Sequence, residues 1–437
     1  MFILRLIRSR MFTAITAYFL LLTPIAMVAQ NLGANSSADS IGASEQAKAD
    51  PKLEHFDPNL VDKNLNPCDD FYKYACNKWT SANPIPPDQV AWSTRTVCSF
   101  GMKLRCGKRW KRAAETTPIA APYNRKSATT GRLVWTKAAG LKTLQPELSR
   151  ISDIKSKKEI TLEIAHLHHL FPGAWDQEDN QTNSPFFGFT GMPDYDDASK
   201  AVAQIDQGGL SLPGRNYYLK TDEKSVETLK KFRAHVRKMF VLAGESEAQA
   251  GSDADAVLAL ETALAKAQRD NVTRRDPKNM NNRMTLAQVR ELTRSIDWDV
   301  YLKEVKAPAS DHYIVTTPGF FRAEEKLLEE RPLDEWKAYM RWQLIYRAAP
   351  FLNQAMVDEN FDFFYHTLAG QQQNQPRWRR CIRNADRDLG EALGQAYVDR
   401  AFPPESRARV LGMVHAIEIS LHDDIETVRW MSPATKE

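Results

Sequence analysis

Cysteine is scarce in this chain. Five in 437 residues are too few and too scattered for a disulfide-dense miniature scaffold, though enough for a few staples in an exported protein. Net charge is scarce too: 59 Lys and Arg against 55 Asp and Glu leave +4, a balance that points to no particular partner. Beyond residue 28 no stretch is apolar enough to cross a bilayer. What remains, with 43% hydrophobic and 26% charged residues, is the make-up of an ordinary soluble globular protein with room for two or three domains.

The N-terminus departs from that average. Arg5, Arg8 and Arg10 precede an apolar run from Met11 to Val28, interrupted by threonines, Tyr18 and Pro24, with Ala26 and Ala29 as small residues near its end. This order is that of a secretory signal, which we place at residues 1–29 and expect to be cleaved. Left uncleaved, it is long enough to anchor the chain in a membrane. The expected localisation is therefore exported, periplasmic or extracellular. Residues 30–50, rich in Ser, Ala, Asn and Gly, read as a flexible linker.

Residues 51–94 contain Asn66-Pro67-Cys68-Asp69-Asp70-Phe71-Tyr72-Lys73-Tyr74-Ala75-Cys76-Asn77-Lys78-Trp79. Acids after a proline and the spacing of Phe71, Tyr74 and Ala75 predict a short helix carrying both cysteines. Eight residues of helix separate Cys68 and Cys76 by about 12 Å, beyond the roughly 7 Å a disulfide spans, so each needs a partner elsewhere. With no His or Cys cluster nearby, the pair makes a poor metal site.

Residues 95–139 are anomalous. From Arg95 to Lys142 twelve basic residues face one acid, Glu115, so the stretch carries +11 and the rest of the chain −7. It holds Cys98 and Cys106 and has no sustained apolar period. A basic nucleic-acid-binding insertion, a solvated disordered loop and a coding sequence out of frame are the three readings. Few aromatics and no binding motif disfavour nucleic acid. We favour the frame error.

Residues 140–437 read as mainly helical, over Ile154–Leu170, Val226–Ala243 and Ser252–Asp270, the last capped by Ser252 or Asp253. Residues 185–189 and 201–205 read as two strands of a small hairpin joined across 194–199. His166, His168 and His169 lack a third ligand and read as ordinary helix histidines. Arg274, Arg275 and Asp276 read as structural ion-pairing residues. Thr285–Gln288 is a capping box, Pro332 opens the next helix, and the aromatics of Val357–Leu368 belong to a core rather than a cofactor box. Leu389, Leu393 and Tyr397 line a further helix, and Val410, Met413 and Ile417 the last.

Between hairpin and helices stands Gln207-Gly208-Gly209-Leu210-Ser211-Leu212-Pro213-Gly214-Arg215-Asn216-Tyr217-Tyr218-Leu219. Two adjacent glycines free the backbone for positive φ, Pro213-Gly214 sets a second turn, and the flanking apolar residues should pin the loop to a core. This stretch resembles the Q-G-G-L-x-L-P-x-R-x-Y-Y-L signature of neprilysin-like (endothelin-converting-enzyme-like) zinc metallopeptidases. The segment from Asn66 to Trp79 matches a second signature of that family. Arg377-Trp378-Arg379-Arg380-Cys381, the run from Asp386 to Val398, and Trp430-Met431-Ser432-Pro433-Ala434-Thr435-Lys436 add further matches. The likeness covers 53–94 and 140–437 and vanishes in the basic segment.

The resemblance implies a mainly α fold, a large multi-helix lobe that roofs an active site and restricts substrates to peptides. It implies that Cys68 and Cys76 join a distant C-terminal region, and that Cys381 pairs within the stretch that is anomalous here. A basic residue that holds the substrate C-terminus in the family falls at Ala91, which has no charge. A zinc peptidase needs His-Glu-x-x-His on one helix, so that two imidazoles face one metal and the Glu polarises water. None of the nine histidines begins that motif. We therefore expect no catalytic, metal or cofactor residue in this chain, zinc only in a catalytic domain lying elsewhere, and no named substrate-binding residue. Expected partners are peptides and a separately encoded catalytic half, not nucleic acid, and a membrane only through an uncleaved N-terminus.

Overall fold

The computed structural model describes residues 61–93, 140–171, 175–176, 181–182 and 184–436, apart from some side chains between 384 and 401. The expected signal, the linker and the basic segment 95–139 lie outside these residues, as do Cys98 and Cys106. The described residues belong to one compact unit, Leu53–Glu437.

Helix α1 (Phe71–Ala82) starts where the Asp70 carboxylate accepts the Lys73 amide at 2.9 Å, satisfying a donor that the first turn leaves open. The helix carries Cys76 only. Cys68 sits in the preceding turn, its amide bonded to Asn66 Oδ1, so the expectation of one helix holding both cysteines is corrected. Helices α2 (Gln145–Ser152) and α3 (Ile160–Leu170) follow. The helix predicted from Ile154 starts later, because Ser156 is extended and Lys157–Glu159 form a 3-10 turn.

Strands β1 (Trp175–Asp176) and β2 (Gln181–Thr182) make a short antiparallel ribbon. The predicted hairpin is present as β3 (Phe187–Pro193) and β4 (Ala201–Gln207), paired from Phe187↔Gln207 to Pro193↔Ala201. It grows into a four-stranded sheet with β5 (Arg283–Met284) and β6 (Tyr313–Val315), in the order β3-β4-β6-β5, β6 running parallel to β4.

Helices α4 (Asn216–Leu219), α5 (Glu223–Leu242) and α6 (Glu247–Ala267) come next. Ser246 caps α6, not Ser252 or Asp253. Asp253 is buried within the helix, bonded to Gln249 and to Arg341. Then follow α7 (Pro277–Met280), α8 (Leu286–Leu292) with the expected Thr285–Gln288 capping box, α9 (Trp298–Glu304) and α10 (Pro318–Glu330). Pro332 caps α11 (Leu333–Ala348) one position before its first turn. Helix α12 (Gln354–Asn360) runs into a π-helical stretch, Phe361–Thr367, and α13 (Arg377–Ala401), α14 (Pro404–Thr427) and α15 (Pro433–Lys436) complete the chain.

Helix α6 is the centre of the lobe: α5, α10 and α11 all pack on it, while α3 lies on α9. Trp298, Trp336, Trp342, Tyr301, Tyr339 and Phe186 are fully buried at these contacts. Each such ring buries roughly 150–250 Å² and dominates the local packing energy. The mainly α lobe with a small sheet is thus the observed architecture.

The exception is α14. Val410, Met413 and Ile417, expected to face a core, are exposed, Met413 by 64%, and no residue of the helix is buried. An apolar stripe states which face seeks cover and leaves open what supplies it. The side chains of Leu389, Leu393 and Tyr397 lie outside the description.

Candidate functional site

The signature loop leaves β4 through a close-packed corner. Asp206 is buried, accepting Arg274 Nη2 at 2.5 Å and the Thr316 hydroxyl. Gln207 pairs with the backbone of Arg269 in both directions, donating to its carbonyl at 3.0 Å and accepting its amide at 2.9 Å. At Gly208 a Cβ would meet the Phe187 backbone at 2.9 Å. Gly209 has φ +84°, a conformation that only glycine adopts without cost.

Past the glycines the loop is tied to a buried carboxylate. Glu261 of α6 accepts the Ser211 hydroxyl at 2.6 Å, the Tyr218 hydroxyl at 2.5 Å and the Gln343 amide at 3.2 Å. Trp342 Nε1 donates to Ser211 Oγ at 2.7 Å, and Tyr218 Oη also receives the Leu212 amide at 2.9 Å. Burial pushes Glu261 up to about 7, while the bonds from Ser211 and Tyr218 pull it down. A serine, a carboxylate and a tyrosine in contact have the ingredients of an acid–base centre. All are buried, however, and nucleophilic chemistry needs a reacting carbonyl beside the hydroxyl. The cluster is a structural knot that holds the loop, as its apolar flanks foretold.

On the outer side of this loop lies a cleft of about 410 Å³, lined by 213–217 and 268–272 together with Gln207, Gly208, Leu210 and Arg274. Arg274 is the residue the sequence assigned to structural pairing, and its bond to Asp206 agrees. Asp276 caps α7 through the Lys278 amide at 3.0 Å, and Arg275 is exposed.

The clustered histidines each have a structural partner. His166 meets Glu147 at 2.6 Å and His169 meets the Glu304 carbonyl at 2.8 Å. His168 is bonded to the Tyr301 hydroxyl at 2.7 Å and the Pro185 carbonyl at 2.8 Å, and burial lowers it to about 4. His235 is buried, stacked on Phe363 and bonded to Glu359 at 2.9 Å. Among the described residues no group of three His, Cys, Asp or Glu side chains is placed to hold a metal ion.

Of the cysteines, Cys68 is exposed, Cys76 half-buried on α1 and Cys381 buried on α13, and no two of these three are bonded to each other. Ala91 is exposed beside Trp92. The segment is held by Pro87, whose carbonyl accepts the Gln372 and Gln373 amides, and by an Asp88–Arg379 ion pair. Sequence reasoning missed this clasp and the Glu261 knot. Both join residues far apart in the chain, and neither leaves a periodic trace.

The N-terminal model of peptidase family M13 matches residues 67–437. Endothelin-converting enzyme 1 of Rattus norvegicus is 26% identical over 392 residues, covering 86% of this chain and 50% of the relative. An endothelin-converting enzyme homologue of Locusta migratoria is 24% identical over 397 residues, covering 86% and 53%. Among solved structures, the inhibitor complex of the Mycobacterium tuberculosis zinc metalloprotease ZMP1 superposes with TM-score 0.74 and 25% identity, over 87% of this chain and 57% of that one. PepO of Lactobacillus rhamnosis shares the fold, with TM-score 0.68 at 18% identity over 85% and 57%. The chain spans about half the length of the curated relatives it matches.

Proposed function

The chain belongs to peptidase family M13, and from that membership we propose that it is the helical, substrate-restricting region of an exported neprilysin-like zinc metalloendopeptidase acting on oligopeptides, inactive alone. One observation carries the reading: nine histidines, none of them opening a His-Glu-x-x-His. Export rests on the Arg5-to-Ala29 pattern and disulfide pairing of Cys68, Cys76 and Cys381 on the family signatures around them. Purified chain incubated with zinc and a fluorogenic oligopeptide should release no more product than buffer. Chelator-sensitive cleavage would overturn the proposal.

A second reading, a non-enzymatic helical scaffold that captures peptides or complements a separately encoded catalytic half, is favoured by α14. Val410, Leu411, Met413, Val414, Ile417 and Leu421 leave an apolar surface uncovered on this helix. A polypeptide of the family carrying His-Glu-x-x-His, co-expressed with this chain, should co-purify with it. Met413→Asp with Ile417→Asp should release it by about tenfold or more in affinity, since two desolvated charges oppose an apolar contact. Co-purification indifferent to that pair would remove α14 from the interface.

A further inference from the structure

The cleft beside the signature loop carries more positive charge than the acids around it, among the described residues, neutralise. Arg215 donates through Nε to the Ala265 carbonyl at 3.2 Å, and Arg269 through Nη1 to the Asn279 carbonyl. Carbonyls fix the direction of a guanidinium without cancelling its charge, which arginine keeps at every ordinary pH. Among the described residues neither arginine has a carboxylate in ion-pair range. The third, Arg274, is balanced by Asp206, yet its Nε is buried with no partner among the described residues. Among the described residues the single acid in the lining is Asp270. Its Oδ1 accepts the Val272 and Thr273 amides and its Oδ2 the Thr273 hydroxyl, so it keeps its charge with its oxygens turned to its own turn, and three guanidiniums still stand against two carboxylates.

We propose that this cleft binds a short acidic peptide segment, one or two carboxylate side chains meeting Arg215 and Arg269. Arginine forks match carboxylates bidentately. Pro213, Tyr217 and Val272 supply apolar surface among the charges, which suits a side-chain-bearing peptide better than a bare anion. A volume of about 410 Å³ is that of a small-ligand site. The inference concerns binding alone and does not depend on whether the chain takes part in proteolysis.

The test is calorimetric titration of the full chain with N-acetyl-Glu-Leu-Glu-amide, the same peptide with Gln for Glu, and inorganic phosphate. The acidic peptide should bind about tenfold or more tightly than its amide counterpart, and more weakly as salt rises. Arg215→Gln with Arg269→Gln should abolish the difference. Because Arg269 also supports the fold, Val272 provides an independent readout: it is 74% exposed, so substitution there leaves packing intact. Val272→Asp should weaken the acidic peptide by about threefold or more and Val272→Lys should strengthen it, in line with a single charge added at partial exposure. Equal binding of the two peptides, binding of neither, phosphate binding without the peptide, or indifference to both Val272 changes would each overturn the assignment. None of these outcomes touches the peptidase reading, which is judged by cleavage.

Discussion

Replacing Glu324 with leucine should stabilise the chain increasingly as pH rises, by on the order of 3 kcal/mol between about pH 5 and pH 9. Glu324 lies on α10 with 0% of its surface exposed, among Phe320, Phe321 and Leu328, and neither carboxylate oxygen has a hydrogen-bond partner among the described residues. Burial pushes it up to about 8, and the neighbouring Glu325 adds to the shift. The folded-state value therefore stands above the unfolded one, near 4.5. Below about 4.5 both states hold the proton and the group is neutral in each. Between about 4.5 and 8 the folded state alone keeps it, so stability falls as pH rises and is lowest above 8. Leucine has no proton to lose and fills a similar volume. Urea titrations of both proteins across this range give the difference directly, and other buried groups such as Glu261 cancel in it. A gap that stays constant with pH would show that Glu324 is not held neutral by burial.

Gly209→Ala should cost about 3 kcal/mol, seen as a lower urea midpoint at unchanged slope. About 1–2 kcal/mol comes from placing an L-residue at φ +84°, the rest from contact. An added Cβ would stand 2.8 Å from the Tyr339 hydroxyl and 3.0 Å from both Leu264 Cδ1 and the Phe186 carbonyl oxygen. None of these can retreat easily. The Tyr339 hydroxyl donates to the Gly209 carbonyl at 2.9 Å and receives the Phe186 amide at 3.2 Å. Phe186 is itself left-handed, φ +60°, and stacked on Trp336 at 5.3 Å. Combining Gly209→Ala with Tyr339→Phe separates the two causes, because removing the hydroxyl relieves the closest contact and leaves the backbone strain. The double variant should lose less than the sum of the single losses. A Gly209→Ala cost below about 1 kcal/mol would mean that the loop is not clamped as described.

The hairpin, the capping box and the family wording were readable because each is local. Short apolar runs at 185–189 and 201–205 on either side of 194–199, Thr285 three positions before Gln288, and paired glycines are short-range patterns with short-range causes. The edge strands were not readable. Tyr313–Val315 and Arg283–Met284 are too short to show a period, and their strand character comes from partners roughly thirty or more than a hundred residues away. The start of α6 was misplaced for a related reason. Ser246, Ser252 and Asp253 are all competent caps, and only the burial of Asp253 against Arg341 excludes it from the helix end.

The sequence alone determined family membership, a mainly helical lobe, a loop that must be clamped, and that none of its nine histidines opens a His-Glu-x-x-His. These are statements about residue order and local spacing. Tertiary structure alone decided that Glu261 is the clamp and, among the described residues, that Glu324 is buried without a partner, that Arg215 and Arg269 line one cleft with only carbonyls to hold them, and that no residue of α14 is buried. Burial and the pairing of charges depend on which distant segments meet, and a charged side chain reads the same in the chain whether folding surrounds it with water, carbonyls or hydrocarbon.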